Sequence, residues 1–139
     1  MNKEKLINLL KKHEGIRLKP YLDTVGKLTI GVGRNLDDVG ISKDEAEMML
    51  SNDIDRCIHD LDHHLPWWID LDETRQMVLI DMCFNLGISR LLGFENTLKS
   101  IKSGEYEIAS QQMLQSKWAG QVGDRARRLA KQMETGRWN

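Results

Sequence analysis

Two carboxylates nine residues apart, Glu14 and Asp23, followed by the hydroxyl of Thr29, are the side chains whose types and spacing could do chemistry. Cleaving an acetal needs one carboxyl neutral, to protonate the leaving oxygen, and one ionised, to assist water and the developing positive charge. Glu14 closes a stretch of helical apolar spacing, so it falls where the helix dipole is negative and an ionised carboxylate is disfavoured. Partial burial beside the segment that follows would push it further toward its neutral form. Asp23 lies where the chain enters a hairpin, and Thr29, on the returning strand, could face it across the turn. Both acids also have plainer readings: Glu14 as a solvated helix-end residue, Asp23 as a turn former with Thr24.

The elements that must place these groups follow from periodicity. Leu6, Ile7, Leu9 and Leu10 recur at helical spacing and Gly15 offers a stop, so a first helix ends at about Glu14. Tyr21 to Gly33 is rich in β-branched and aromatic residues around Gly26 and reads as a hairpin, with Leu28, Ile30 and Val32 on one face and Lys27, Thr29 and Gly31 on the other. Residues 34–41 are a polar loop. Ser42 and Glu45 form a capping box opening a helix to about His63, with Ala46, Met49, Leu50, Ile54, Cys57, Ile58 and Leu61 inward and Pro66 as its stop. Everything beyond reads helical, broken at Gly87, Gly93, Gly104 and Gly120 to Gly123. Asp70 with Glu73 is expected to cap the most apolar helix, Met77 to Phe84. The pattern is α+β and mostly helical: a small hairpin lobe and a helical lobe joined by a long helix, with a groove between them.

Composition narrows the class. The 139 residues carry 20 Lys and Arg against 21 Asp and Glu, an ordinary soluble balance for one domain with a real core. No window approaches the ~18 apolar residues of a membrane span, and Asn8, Lys11 and Lys12 interrupt the only early apolar run, so neither membrane insertion nor an export signal is expected. Cys57 and Cys83 lack the spacing of a zinc site or disulfide framework and are expected as free buried thiols. His59, His63 and His64 read as a solvated helix face rather than metal ligands, and no metal or cofactor is called for. Trp67, Trp68, Trp118 and Trp138 read as packing residues.

Charge is uneven: residues 1–34 hold eight Lys/Arg and three acids, 35–116 six and sixteen, and 117–139 six and two. Two basic ends folded onto one surface would suit an anionic polymer. Arg125 to Arg128 could serve a nucleic-acid module, but that class lacks a fold signature here and leaves Glu14, Asp23 and Thr29 unexplained, so no nucleic-acid partner is expected.

The string from His13 to Gly33 fits E-G-x-R-L-x-x-Y-x-D-x-x-G-x-x-T-I-G-x-G at every fixed position and resembles the active-site segment of the phage-type lysozymes, the endolysins of the T-even phage lysozyme family. The likeness continues through Phe84-Asn85-Leu86-Gly87, Gly93 to Leu98, Ser116-Lys117-Trp118, Asp124 to Arg128 and Thr135 to Trp138, covering essentially the whole chain. It implies a single lysozyme domain over 1–139, with a β-containing lobe at about 14–60 and a helical lobe of about 1–13 plus 61–139. It further implies a muramidase cutting the β-1,4 bond between N-acetylmuramic acid and N-acetylglucosamine in peptidoglycan, acting as a monomer that accumulates in the host cytoplasm and reaches the wall after a holin opens the membrane.

By that resemblance Glu14 is the general acid, Asp23 orients or activates water, and Thr29 helps hold it; Asn35, Phe84, Thr97 and Gln112 line the substrate cleft, and Arg125 reaches the glutamate. A non-catalytic relative of structural role would have lost an acid, and none is lost here. Two features depart from the family. Arg34 stands where histidine is usual, with Asp53 as its expected partner, and the stretch between Arg34 and Ser42 is shorter.

Overall fold

The computed structural model describes residues 1–138. The chain forms two compact units, Met1–Met49 and Leu50 onward. The first opens with α1 (Lys3–Glu14), whose N-terminus is capped by the Asn2 side chain accepting from the Lys5 N–H at 3.0 Å. Gly15, at φ 75°, ends it. An antiparallel sheet follows: β1 (Arg17–Leu22), β2 (Leu28–Gly31) and β3 (Arg34–Asn35), in that order. Tyr21 pairs with Thr29 across β1 and β2, and Thr29 with Asn35 across β2 and β3. The two-residue β3 falls in the stretch read as loop, because so short a strand leaves no alternation to see. Register slips between Arg17 and Tyr21, a span that contains Pro20 and so lacks one ladder donor.

Burial in the sheet centres on Thr29, while Leu28 stays exposed. Helix α1 buries no residue, and Leu6, Ile7, Leu9 and Leu10 all remain partly open. The structure groups α1 with the sheet, where the sequence pointed to membership of the helical part.

Helix α2 (Lys43–His64) starts with the expected capping box: the Glu45 N–H donates to Ser42 Oγ at 3.1 Å and the Ser42 N–H to Glu45 Oε1 at 2.9 Å. Its buried residues are Cys57 and Leu61; Ala46, Met49, Leu50 and Ile54 are exposed, contrary to expectation, since the core gathers only around the second half of the helix.

The second unit holds the apolar core. After a 3₁₀ turn at Pro66–Asp70 come α3 (Glu73–Leu86), α4 (Ile88–Leu92), α5 (Glu95–Lys102), α6 (Tyr106–Gln115), α7 (Lys117–Val122) and α8 (Asp124–Thr135). Val78, Leu79, Met82, Cys83 and Leu86 of α3 are all buried, as the nearly all-round apolar pattern requires. Its cap is Asp72, accepting from the Arg75 N–H at 3.2 Å, because Asp70 is used up ending the 3₁₀ turn. Ser116 divides α6 from α7 by donating to the Met113 carbonyl and accepting from the Ala119 N–H, a break without glycine or proline to announce it.

Cys57 and Cys83 are free and buried. Burial, reinforced by the neighbouring Cys57, pushes the Cys83 thiol up to about 12, so it stays protonated and inert. Trp68 and Trp118 are core residues whose N–H groups reach Asp62 and Asn85, both at 2.7 Å. Trp138 is 69% exposed and is not a packing residue.

Arg75 fastens α3 to α8. Its guanidinium donates to the Met133 carbonyl at 2.7 Å, the Glu134 carbonyl at 2.9 Å and Asp72 Oδ1 at 3.0 Å, and lies 3.5 Å over the Tyr106 ring. The last carbonyls of a helix have no partner of their own, and this one side chain supplies two. Gly136 leaves it room, for a Cβ there would lie 2.8 Å from Arg75 Nη1. Arg75→Met is therefore expected to lower stability by about 1–3 kcal/mol in urea unfolding. An unchanged midpoint and slope would show that water replaces these bonds without loss.

Candidate active site

The backbone of one residue, Lys27, holds two of the three expected site residues. The Lys27 N–H donates to Asp23 Oδ1 at 2.8 Å, and the Lys27 carbonyl accepts both the Asp23 N–H at 2.9 Å and the Thr29 hydroxyl at 2.9 Å. Asp23 Oδ1 also takes the Val25 N–H at 2.9 Å, and the Gly26 N–H closes the turn on the Asp23 carbonyl. The turn-forming reading of Asp23 is thus true, through Val25 and Lys27 rather than Thr24, and it uses only one carboxylate oxygen. Among the described residues Oδ2 takes no hydrogen bond. Thr29, 3% exposed, spends its proton on Lys27, which leaves the hydroxyl oxygen as an acceptor. The hydroxyl bonds Lys27 rather than crossing to Asp23, yet the backbone of that one residue orients both groups.

Glu14 ends α1 as expected, but it is exposed and not partly buried. Its carboxyl lies against Gly33, which follows β2 in the tight connection to β3. The carboxyls of Glu14 and Asp23 are therefore anchored beyond opposite ends of the same strand.

Arg34 is clamped by Glu45, not Asp53. Its two terminal nitrogens donate to Glu45 Oε1 and Oε2, both at 2.7 Å, and Nη1 also reaches the Gly40 carbonyl at 3.2 Å. Asp53 pairs instead with Arg56, three residues along its own helix, at 2.6 Å. Glu45 wins because the capping box already turns its carboxylate back toward the loop carrying Arg34, and the planar fork of arginine matches both oxygens. The Arg34 hydrogen bonds, then the Ser42 N–H, hold the Glu45 carboxyl down at about 2. Asn35, next along, has its amide committed to Asp38 in both directions, at 2.9 and 3.0 Å.

In the helical unit Thr97 and Gln112 line one open recess of ≈ 750 Å³, together with Arg90, Phe94, Lys117 and Trp118. Gln112 Oε1 is buried there without a hydrogen-bond partner among the described residues. Phe84 lies elsewhere, on an apolar recess of ≈ 690 Å³ that it shares with Leu50, Met77, Arg125 and Trp138. Arg125 is held by Asp81, its Nε donating to Oδ1 at 2.8 Å and Nη2 lying 2.7 Å from the same oxygen. Arg127, Arg128 and Lys131 form a basic surface on α8 beside Asp124. Glu45, Asp81 and the Lys27 backbone escaped the sequence reading: Glu45 was visible only as a helix cap, Asp81 carried no spacing signal, and a backbone group has no residue type to notice.

A hairpin that presents an acid and a hydroxyl, a second acid at a helix end, and a larger helical unit are the parts of a glycoside hydrolase of the lysozyme type. The chain belongs to the Phage lysozyme family, whose profile matches residues 11–134. It is similar over 95% of both chains, at 27% identity, to the probable T4-type lysozyme 1 of Dictyostelium discoideum. At 30% identity it is similar to the endolysin of Acyrthosiphon pisum secondary endosymbiont phage 1, over 84% of this chain and 78% of that one. It also matches the pre-baseplate central spike protein Gp5 of Enterobacteria phage T4 at 27% identity, across 94% of this chain but 28% of that much longer protein.

The clamp at Arg34 has a definite pH dependence. Because the folded-state carboxyl of Glu45 is depressed from 4.5 to about 2, its stabilisation is complete above pH 4.5 and is lost as pH falls toward 2. Arg34→Met should therefore melt at a lower temperature than the parent at pH 7, with the gap closing between pH 4.5 and 2. A gap that is absent at pH 7, or constant to pH 2, contradicts the clamp.

Proposed function

We propose that this protein is an endolysin that hydrolyses the β-1,4 bond between N-acetylmuramic acid and N-acetylglucosamine with inversion, Glu14 acting as general acid and Asp23 with Thr29 placing the water. The observation that carries the proposal is that Asp23 and Thr29 are both held by the backbone of Lys27, one through its N–H and the other through its carbonyl. It leaves Asp23 Oδ2 and the Thr29 oxygen as two acceptors on one turn. A water donating one proton to each keeps its lone pair for the anomeric carbon, while Asp23 receives the proton released as the new bond forms. Glu14, exposed and free to meet the leaving oxygen, gives up its proton at the same time. Inversion requires the two carboxyls to stand roughly 6.5–9.5 Å apart in the working enzyme, the distance that admits a water between acid and base.

Gln112 supports a saccharide site on its own recess. A buried carbonyl oxygen without a donor is costly, and the N–H of an N-acetyl group would satisfy it, with Thr97 beside it. We place Phe84 against a sugar face and assign Asn35 to holding the loop that carries Asp38. The two units would work as one lysozyme domain, monomeric and without a cofactor. No described helix is long and apolar enough to cross a membrane. Synthesis in the host cytoplasm and release to the wall through a holin complete the proposal.

Glu14→Gln preserves volume and removes the transferable proton, so clearing of outer-membrane-permeabilised Gram-negative cells should fall by ~10²–10⁴ with unchanged circular dichroism. Activity within tenfold of the parent would remove Glu14 as the acid. Proton NMR of the first sugar product should show the α anomer before mutarotation; a β anomer would make Asp23 the nucleophile and overturn inversion.

A further inference from the structure

The Glu14 side chain rests on a residue that offers it nothing but space. At Gly33 a Cβ would lie 2.8 Å from Glu14 Oε2, 3.1 Å from Cδ and 3.3 Å from Cγ, and Gly33 itself sits at φ 67°. The first distance is shorter than real Cβ atoms permit. Of the other left-handed glycines, only Gly136 has anything within 4 Å of such a Cβ among the described residues; Gly104, at φ 78°, has open space.

Backbone strain and contact with the acid can therefore be separated within one chain. Gly33 is also fixed from its far side, because Arg34 is clamped to Glu45 and to the Gly40 carbonyl while Ile30 pairs with Arg34 across β2 and β3. Glu14, by contrast, is exposed, and its carboxyl is the far end of a flexible side chain. When a methyl group is placed between them, the carboxyl moves and the backbone stays.

We infer that Gly33 is a positioning residue for the proton donor: its bare Cα is the surface against which the Glu14 carboxyl is set, and Arg34 with Glu45 holds that surface in place. The inference rests on Glu14 being the acid. A side chain at position 33 then costs the chemical step more than it costs the fold, since a misplacement of about 1 Å in a reacting group is enough to lose two orders of magnitude in rate.

The test compares Gly33→Ala with Gly104→Ala, using a soluble peptidoglycan oligosaccharide for kinetics and the nuclear Overhauser contact between the Glu14 γ-protons and the amide proton of residue 33 for position. Both variants should lose similar thermal stability, because both force alanine into the same backbone region. Gly33→Ala should lower kcat about a hundredfold with KM within about twofold, and lose that contact; Gly104→Ala should keep the parental kcat and contact. Gly33→Asn, which tolerates the left-handed backbone better but carries the same Cβ, should behave as Gly33→Ala does and replaces it where the alanine variant does not fold. Equal kcat in the two alanine variants, with the contact retained in Gly33→Ala, would overturn the inference. Loss of the contact is read without turnover, so activity of Glu14→Gln would sink the acid assignment and leave the positional result standing.

Discussion

Everything proposed for this enzyme depends on the backbone N–H and carbonyl of Lys27. In most hairpins the turn backbone satisfies only itself; here the N–H is given to a carboxylate oxygen and the carbonyl accepts from both the Asp23 backbone and the Thr29 hydroxyl. These bonds fix which oxygen of Asp23 is committed and which way the Thr29 hydroxyl points. A site that must hold water by two acceptors needs that orientation settled before substrate arrives, because donors and acceptors arranged in advance require no reorganisation during the reaction.

The first unit reaches this arrangement with little apolar burial. Thr29 is the one buried residue of its sheet, and the loops are tied by the Arg34–Glu45 clamp, the Asp37 carboxylate on the Leu28 N–H and Lys27 on Asp38. The second unit is built the other way, around α3 and the buried faces of the helices after it, with Arg75 closing the end of α8. The division suits catalysis: polar ties exposed to water permit local opening at modest cost, whereas a packed core resists it. Each unit brings a different physical resource, and the proposed acid and water-placing groups belong to the polar one.

Much of this was legible in the residues. Glycines and capping residues marked α1, α2 and most later helices, because caps and breakers act through local backbone chemistry that sequence displays directly. The string from His13 to Gly33 grouped Glu14, Asp23 and Thr29, and all three lie in the first unit, with Asp23 and Thr29 both on the Lys27 backbone. What stayed hidden depends on distant partners or competition among neighbours. Arg34 could be matched to an acid by family pattern, but the capping box had already turned Glu45 toward it, so Asp53 paired within its own helix. Glu14 is exposed where partial burial was expected, its carboxyl meeting the bare Cα of Gly33, and the inward face assigned to the first half of α2 failed because the core begins only at Cys57. Asp72 displaced Asp70 as the α3 cap for a similar reason, the 3₁₀ turn having claimed the earlier residue.

The most direct test of the account is a crystal structure of Glu14→Gln bound to an intact peptidoglycan tetrasaccharide. An ordered water should donate to both Asp23 Oδ2 and Thr29 Oγ1 and face the anomeric carbon from the side opposite residue 14, with Asp23 Oδ1 still on the Lys27 N–H. An Asp23 oxygen seated directly against the anomeric carbon, with no water between them, would contradict it.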